Sequence, residues 1–183
     1  MSAPFYRPEE ALGPDPDPND PTPGMHLWGW MSPIELRWLA EQASQMRSVV
    51  EIGCLHGRSS YALATGCPGT VYCLDPWNDA GYESWMNSVG EVLPNVVGIR
   101  GASPEAGALV PDPVDMVFID GAHDYQSVLA DVLYWRARTR VLLCGHDYTE
   151  GPDGYPDVKT VVDFVFGDEV VVAPDTAIWT VRP

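Results

Sequence analysis

A chain of 183 residues, 45% of them hydrophobic, is long enough to fold as one globular domain around a proper core. Its formal net charge of -16 comes from 26 acids against 10 bases, with Lys159 the only lysine, so no face offers a dense row of cations to phosphates. Nucleic acid and anionic membrane surfaces are therefore not expected as partners, and a small-molecule substrate is. No apolar run of ~18 residues and no secretory signal pattern occur, which points to the cytoplasm.

Taken in chain order, residues 1–24 carry Pro4, Pro8, Pro14, Pro16, Pro18, Pro21 and Pro23 among acids. Such a stretch sustains neither a helix nor a central strand, so an extended or disordered leader is expected, followed by a single domain over 25–183. Trp28 and Trp30 read as packing anchors. Ser32-Pro33-Ile34-Glu35 is a capping box with proline at the first helical position. Leu36, Leu39, Ala40, Ala43 and Met46 then recur at helical spacing, predicting a helix over about 33–46.

From Ser48 onward, short β-branched apolar runs at 49–52, 71–74, 96–99, 114–119 and 141–144 alternate with helix-length segments at about 58–66, 81–92, 103–109 and 124–137. Asp124 is the cap candidate of the last of these. Runs of this kind separated by helices require a parallel sheet covered on both faces. Val158, Val161, Val162 and Val165 predict a further helix stopped near Gly167. The segments 170–172 and 177–181 around Pro174-Asp175 fit an antiparallel hairpin. The architecture is thus α/β, doubly wound, a mostly parallel seven-stranded sheet ending in an antiparallel pair. Cys54, Cys67, Cys73 and Cys144 lack C-x-x-C spacing and read as reduced, buried thiols.

Three segments could carry chemistry. Val49 to Ser59 runs from a strand through Gly53-Cys54-Leu55-His56-Gly57 into a helix. In a doubly wound sheet this is where backbone meets a ligand, and G-x-x-x-G spacing fits neither a dinucleotide loop nor a P-loop. Asp75, in Leu74-Asp75-Pro76-Trp77, ends the next strand where two ribose hydroxyls would be accepted. Asp120, in Phe118-Ile119-Asp120-Gly121-Ala122-His123, and Asp147, in Gly145-His146-Asp147-Tyr148, end neighbouring strands. Two carboxylates converging there repel unless a cation lies between them, and Mg²⁺ or Mn²⁺ suits such oxygens. His123 is placed to act as general base toward a substrate hydroxyl.

The set E-I-G-x-x-x-G-R-S, L-D-P-W, F-I-D-G-x-H-x-Y, G-H-D-Y and G-Y-P-D-V-K-x-V-V-D-F resembles the small class I S-adenosylmethionine-dependent methyltransferases, with their Rossmann-like fold. Within that class it is similar to the metal-dependent sugar and natural-product O-methyltransferases, over about 48–182. The resemblance implies a cofactor site of Glu51, Gly53, Cys54, His56, Gly57, Ser59, Asp75, Pro76, Trp77, Ser103 and Asp120. In it Glu51 and Gly53 lie at the methionine end and Ser103 near the adenine. It implies His123 and Asp120 as catalytic, and Asp120, His146 and Asp147 as metal ligands. His146 stands where those relatives carry an acid. The expected activity is methylation of a small-molecule hydroxyl; a non-catalytic nucleoside-binding module and a nicotinamide oxidoreductase are the alternatives. Homo-oligomerisation stays open.

Overall fold

The computed structural model describes residues 14–150 and 154–183. Seven strands form one sheet: β1 (Ser48–Ile52), β2 (Thr70–Asp75), β3 (Val96–Arg100), β4 (Val114–Ile119), β5 (Thr139–Gly145), β6 (Val171–Val172) and β7 (Trp179–Val181). Their spatial order is β3-β2-β1-β4-β5-β7-β6, parallel except for β7, which runs antiparallel to β5 and to β6. The expected doubly wound sheet with its reversed terminal hairpin is what forms.

Side-chain alternation along the strands divides the core into two layers. Val49, Val71, Cys73, Met116, Phe118 and Cys144 face α1 (Pro33–Ala43) and α2 (Arg58–Gly66), burying Leu36, Leu39 and Leu63. Val50, Ile52, Leu74, Val117, Ile119 and Leu143 face α4 (Tyr125–Arg136) and α5 (Pro156–Phe166), burying Val128, Val132, Trp135, Val161 and Val162. All four cysteines are free and buried. Among the described residues no helix is long and apolar enough to cross a membrane.

Several expectations give way locally. The helix expected over 81–92 is α3 (Asp79–Trp85) followed by a π-helical turn, Met86–Gly90, which buries Trp85 and Val89 together. The stretch expected as a helix over 103–109 is a short 3₁₀ turn, Glu105–Leu109. Gly107 packs there so closely on α4 that a Cβ would sit 2.8 Å from Trp135 and Tyr134. The first helix ends at Ala43 rather than 46. Trp30 is exposed, so it anchors nothing.

Residues 14–24, expected to be extended or disordered, form turns seated on the domain; residues 1–13 of that leader lie outside the described residues. Asp17 N–H donates to the Met25 carbonyl and Asp20 accepts from Thr22 N–H. Arg58, at the start of α2, binds the segment by donating to the carbonyls of Pro14, Leu27 and Met31.

Candidate active site

The parallel register aligns strand ends. Ile52 pairs with Leu74 and with Ile119, and Ile119 pairs with Gly145. One residue further along, Gly53, Asp75, Asp120 and His146 therefore leave the sheet along one edge, the edge where open α/β sheets bind ligands. Gly53 has φ +84, and a Cβ on it would sit 2.0 Å from the Asp120 carbonyl, so only glycine lets β1 and β4 end this close together.

The loop from Gly53 to Gly57 is held from below. One carboxylate oxygen of Asp75, Oδ2, accepts the N–H groups of Cys54 and Leu55 at 2.9 and 3.0 Å. Burial raises the pKa of Asp75, with those N–H groups pulling the other way. Trp77 is buried and donates its Nε1–H to the Leu55 carbonyl at 2.8 Å, while Pro76 is exposed. Trp77 thus braces the loop. The Cys54 side chain is buried and offers the site only its backbone. Burial keeps His56 below its ordinary pKa, hence neutral, and its Nε2 has no partner among the described residues.

Glu51 lies beneath this loop, fully buried between β1 and α2, bonded to Ser60, with its Oε1 unpartnered among the described residues. Burial pushes its pKa up to about 7, against the pull of Ser59 and Ser60. Ser59 is buried beside it. The Ser103 hydroxyl is spent internally: it donates to Asp131 at 2.5 Å and accepts from Trp135 Nε1–H at 2.9 Å. Any contact of Ser103 with a ligand falls to its backbone.

At the other end of the edge the two acids and two histidines form one cluster. His123 Nε2 is 2.7 Å from Asp147 Oδ2 and 3.9 Å from Asp120 Oδ1. The shorter contact is an ion pair lying off the line of a good hydrogen bond. The His123 ring stacks on Tyr155 with centroids 3.9 Å apart. His146 Nδ1 is 3.2 Å from Asp147 Oδ1 and 3.9 Å from Asp120 Oδ1. Its Nε2 meets Glu35 Oε1 at 2.9 Å. Asp147 holds this position with φ +59, a left-handed conformation that aspartate tolerates better than most residues.

Charge balance explains how the acids coexist. Burial alone would lower both imidazole pKa values, but Asp120 and Asp147 raise His123 to about 9, and Asp147 and Glu35 raise His146 to about 10. Burial would raise Asp147 and Glu35, yet the histidines hold Asp147 well below the usual carboxylate range and, with Ser32, bring Glu35 to about 2. The mutual repulsion expected of Asp120 and Asp147 is answered by protons on the imidazoles.

A divalent ion is the other cation that could fill this role. Asp120, His146 and Asp147 each offer one donor atom, all within 4.8 Å of one another. His146 Nδ1 faces two carboxylate oxygens, a position that demands a proton or a metal. One divalent ion replacing the two imidazole protons leaves the net charge unchanged, so the donor set fits such an ion. Its nitrogen favours Mn²⁺ over Mg²⁺. A second group, Glu51, Cys54 and Cys73, lies deep in the core, and burial keeps both thiols protonated.

Glu35 was legible in the sequence only as a helix cap. A cap contributes ~1 kcal/mol, whereas burying an uncompensated carboxylate costs several, so its partnership with His146 decides its place here. Nothing local signals it, because the two residues are 111 positions apart. A hollow of about 520 Å³ lies away from this edge, between Trp38 and Gln42 of α1 and Val171 and Val172 of β6.

Against known proteins, a family model described as a methyltransferase domain matches residues 50–148. No curated protein matches the chain significantly. Solved structures share the fold. An O-methyltransferase from Bacillus cereus in complex with SAH superposes with TM-score 0.66 at 17% identity, covering 84% of this chain and 82% of that one. The O-methyltransferase TomG from Streptomyces achromogenes, involved in tomaymycin synthesis and solved with SAM, gives 0.65 at 20% identity, covering 83% and 81%. SAH-bound methyltransferase PaMTH1 from Podospora anserina gives 0.69 at 16%, covering 83% and 79%.

Proposed function

Because the chain belongs to the methyltransferase-domain family, whose model spans both the glycine loop and the Asp120–Asp147 cluster, we propose that it transfers the methyl group of S-adenosylmethionine to a hydroxyl of a small acceptor. The observation that carries this reading is the shared strand-end edge. It sets a loop and acid suited to an adenosyl cofactor beside a cluster suited to deprotonating an alcohol. Structures of the same fold hold SAM or SAH, and several are named O-methyltransferases, which supports both the cofactor and an oxygen acceptor.

In this reading the Gly53–Gly57 loop lies against the methionine portion, and Asp75 receives the ribose hydroxyls. Asp120, with the loop, closes the cofactor against the acceptor. The sulfonium carries its own leaving group, so the protein contributes alignment and proton removal; alignment alone can supply ~7 kcal/mol or more. His123 accepts the hydroxyl proton in its neutral form, which becomes populated as pH rises toward about 9, and Asp147 at 2.7 Å stabilises the imidazolium that results. Asp120, His146 and Asp147 would hold a divalent ion, which when bound supplies Lewis acidity toward the acceptor oxygen.

The test begins with calorimetric titration of SAH and of NAD, followed by transfer of labelled methyl from SAM to pooled hydroxylated acceptors, with and without Mn²⁺. SAH binding with labelled product is the expected result. NAD binding in place of SAH overturns the reading, and SAH binding without transfer to any pool favours the non-catalytic module.

A further inference from the structure

The capping glutamate of α1 has a second set of partners that a cap does not need. Glu35 Oε2 accepts the N–H and hydroxyl of Ser32 at 2.9 and 2.8 Å, completing the capping box. Its other oxygen, Oε1, meets His146 Nε2 at 2.9 Å and accepts Ala177 N–H at 3.2 Å. The residue is only 7% exposed. Four donors converge on one buried carboxylate, which fixes its rotamer.

A carboxylate only accepts, so the nitrogen facing Glu35 must carry a hydrogen. The ring's other nitrogen then has one orientation available, toward Asp147 at 3.2 Å and Asp120 at 3.9 Å. Carboxylate, imidazole and cation site stand in line, the arrangement by which an outer acid commonly orients a ligating histidine. We propose that Glu35 is a positioning residue of the site: acting through His146, it points Nε2–H at itself and presents Nδ1 to Asp120 and Asp147, where a positive charge is held. This rests on reading that cluster as the acceptor end of a methyl-transfer site. It extends the site beyond the matched family segment, because Glu35 lies outside residues 50–148.

Glu35→Gln separates this role from capping. Glutamine serves a capping box as well as glutamate does. With its carbonyl oxygen toward Ser32, its amide nitrogen must face His146, as a donor where an acceptor stood. Ser32→Ala is the converse variant, weakening the cap while leaving the Glu35–His146 contact.

Nitrogen-15 NMR of the histidine side chains, run on the free protein, reads the ring directly. The expected result is an exchange-protected His146 Nε2–H in wild type and in Ser32→Ala, lost in Glu35→Gln. Mn²⁺ titration without cofactor should show affinity falling about tenfold or more in Glu35→Gln and unchanged in Ser32→Ala. Nε2–H retained in Glu35→Gln, or equal losses in both variants, overturns the proposal. The NMR readout decides even if wild type binds no Mn²⁺. SAH titration of all three proteins keeps the outcome apart from that of the methyl-transfer reading: SAH bound by all three with His146 unmoved sinks the role of Glu35 alone.

Discussion

His123 is confined by a ring on its face and two carboxylates at its edge, and its role can be tested without disturbing the cofactor loop. In His123→Ala, SAH affinity should stay within about twofold while methyl transfer to an identified acceptor drops ~100-fold or more. Unchanged turnover, measured with labelled SAM, removes the base assignment. Asp131 gives a prediction about stability. Burial raises its pKa to about 6, with Ser103 pulling the other way, and only 3% of the residue is exposed. A carboxyl whose pKa is raised on folding stabilises the fold while protonated. That contribution is complete below about 3.8 and is lost as pH climbs through about 6, a change of order ~3 kcal/mol. Asp131→Asn keeps the acceptor for Ser103 and removes the charge. Its unfolding free energy in urea should match wild type near pH 4 and exceed it at pH 7; a constant difference across that range refutes the assignment. At this scale the sequence pointed to Asp120 and Asp147 because they follow the ends of neighbouring apolar runs, and to His123 because it stands three residues beyond Asp120. It could not disclose the roles of Glu35 or Asp131, whose importance comes from partners distant in the chain.

Strands and helices were more readable than their ends. Val114 to Ile119 and the helix carrying Val128, Val132 and Trp135 follow from periodicity, since two-sided burial forces apolar runs and one-sided burial forces stripes. The turn after Trp85 did not follow, because its π-helical form depends on how Trp85 and Val89 meet α2, which no local pattern encodes. The turns from Pro14 onward did not follow from composition for a similar reason: proline bars a helix but not a set of turns anchored by Arg58. Arg58→Met keeps the aliphatic stem and deletes the donors, so residues 14–31 should become cleavable under limited proteolysis that leaves wild type intact there. Equal resistance would show the anchor to be dispensable. Gly53→Ala should be costly at the junction of β1 with β4, by ~3 kcal/mol or more, because the added carbon overlaps the Asp120 carbonyl in a conformation alanine disfavours. Thermal unfolding measures it, and a loss below 1 kcal/mol would mean that the two strand ends separate easily.

Over the whole molecule the charge of -16 sets a field of one sign. Self-repulsion of that size weakens the folded state at low ionic strength. Raising salt from about 0.01 M to about 0.1 M shortens the screening length from roughly 30 to 10 Å, so the melting temperature should rise with sodium chloride. A fall would show that favourable ion pairs outweigh the repulsion. The contact of Glu35 with both His146 and the Ala177 backbone also has a temporal side. Helix α1 is made before the hairpin strand β7, yet one carboxylate grips both ends of that span. A ribosome-bound chain with β1 to β5 already emerged still lacks the Ala177 clamp on Glu35, so this edge matures only once the hairpin has followed, and a product cut short before the hairpin would be left with its His146 ring loosely aimed.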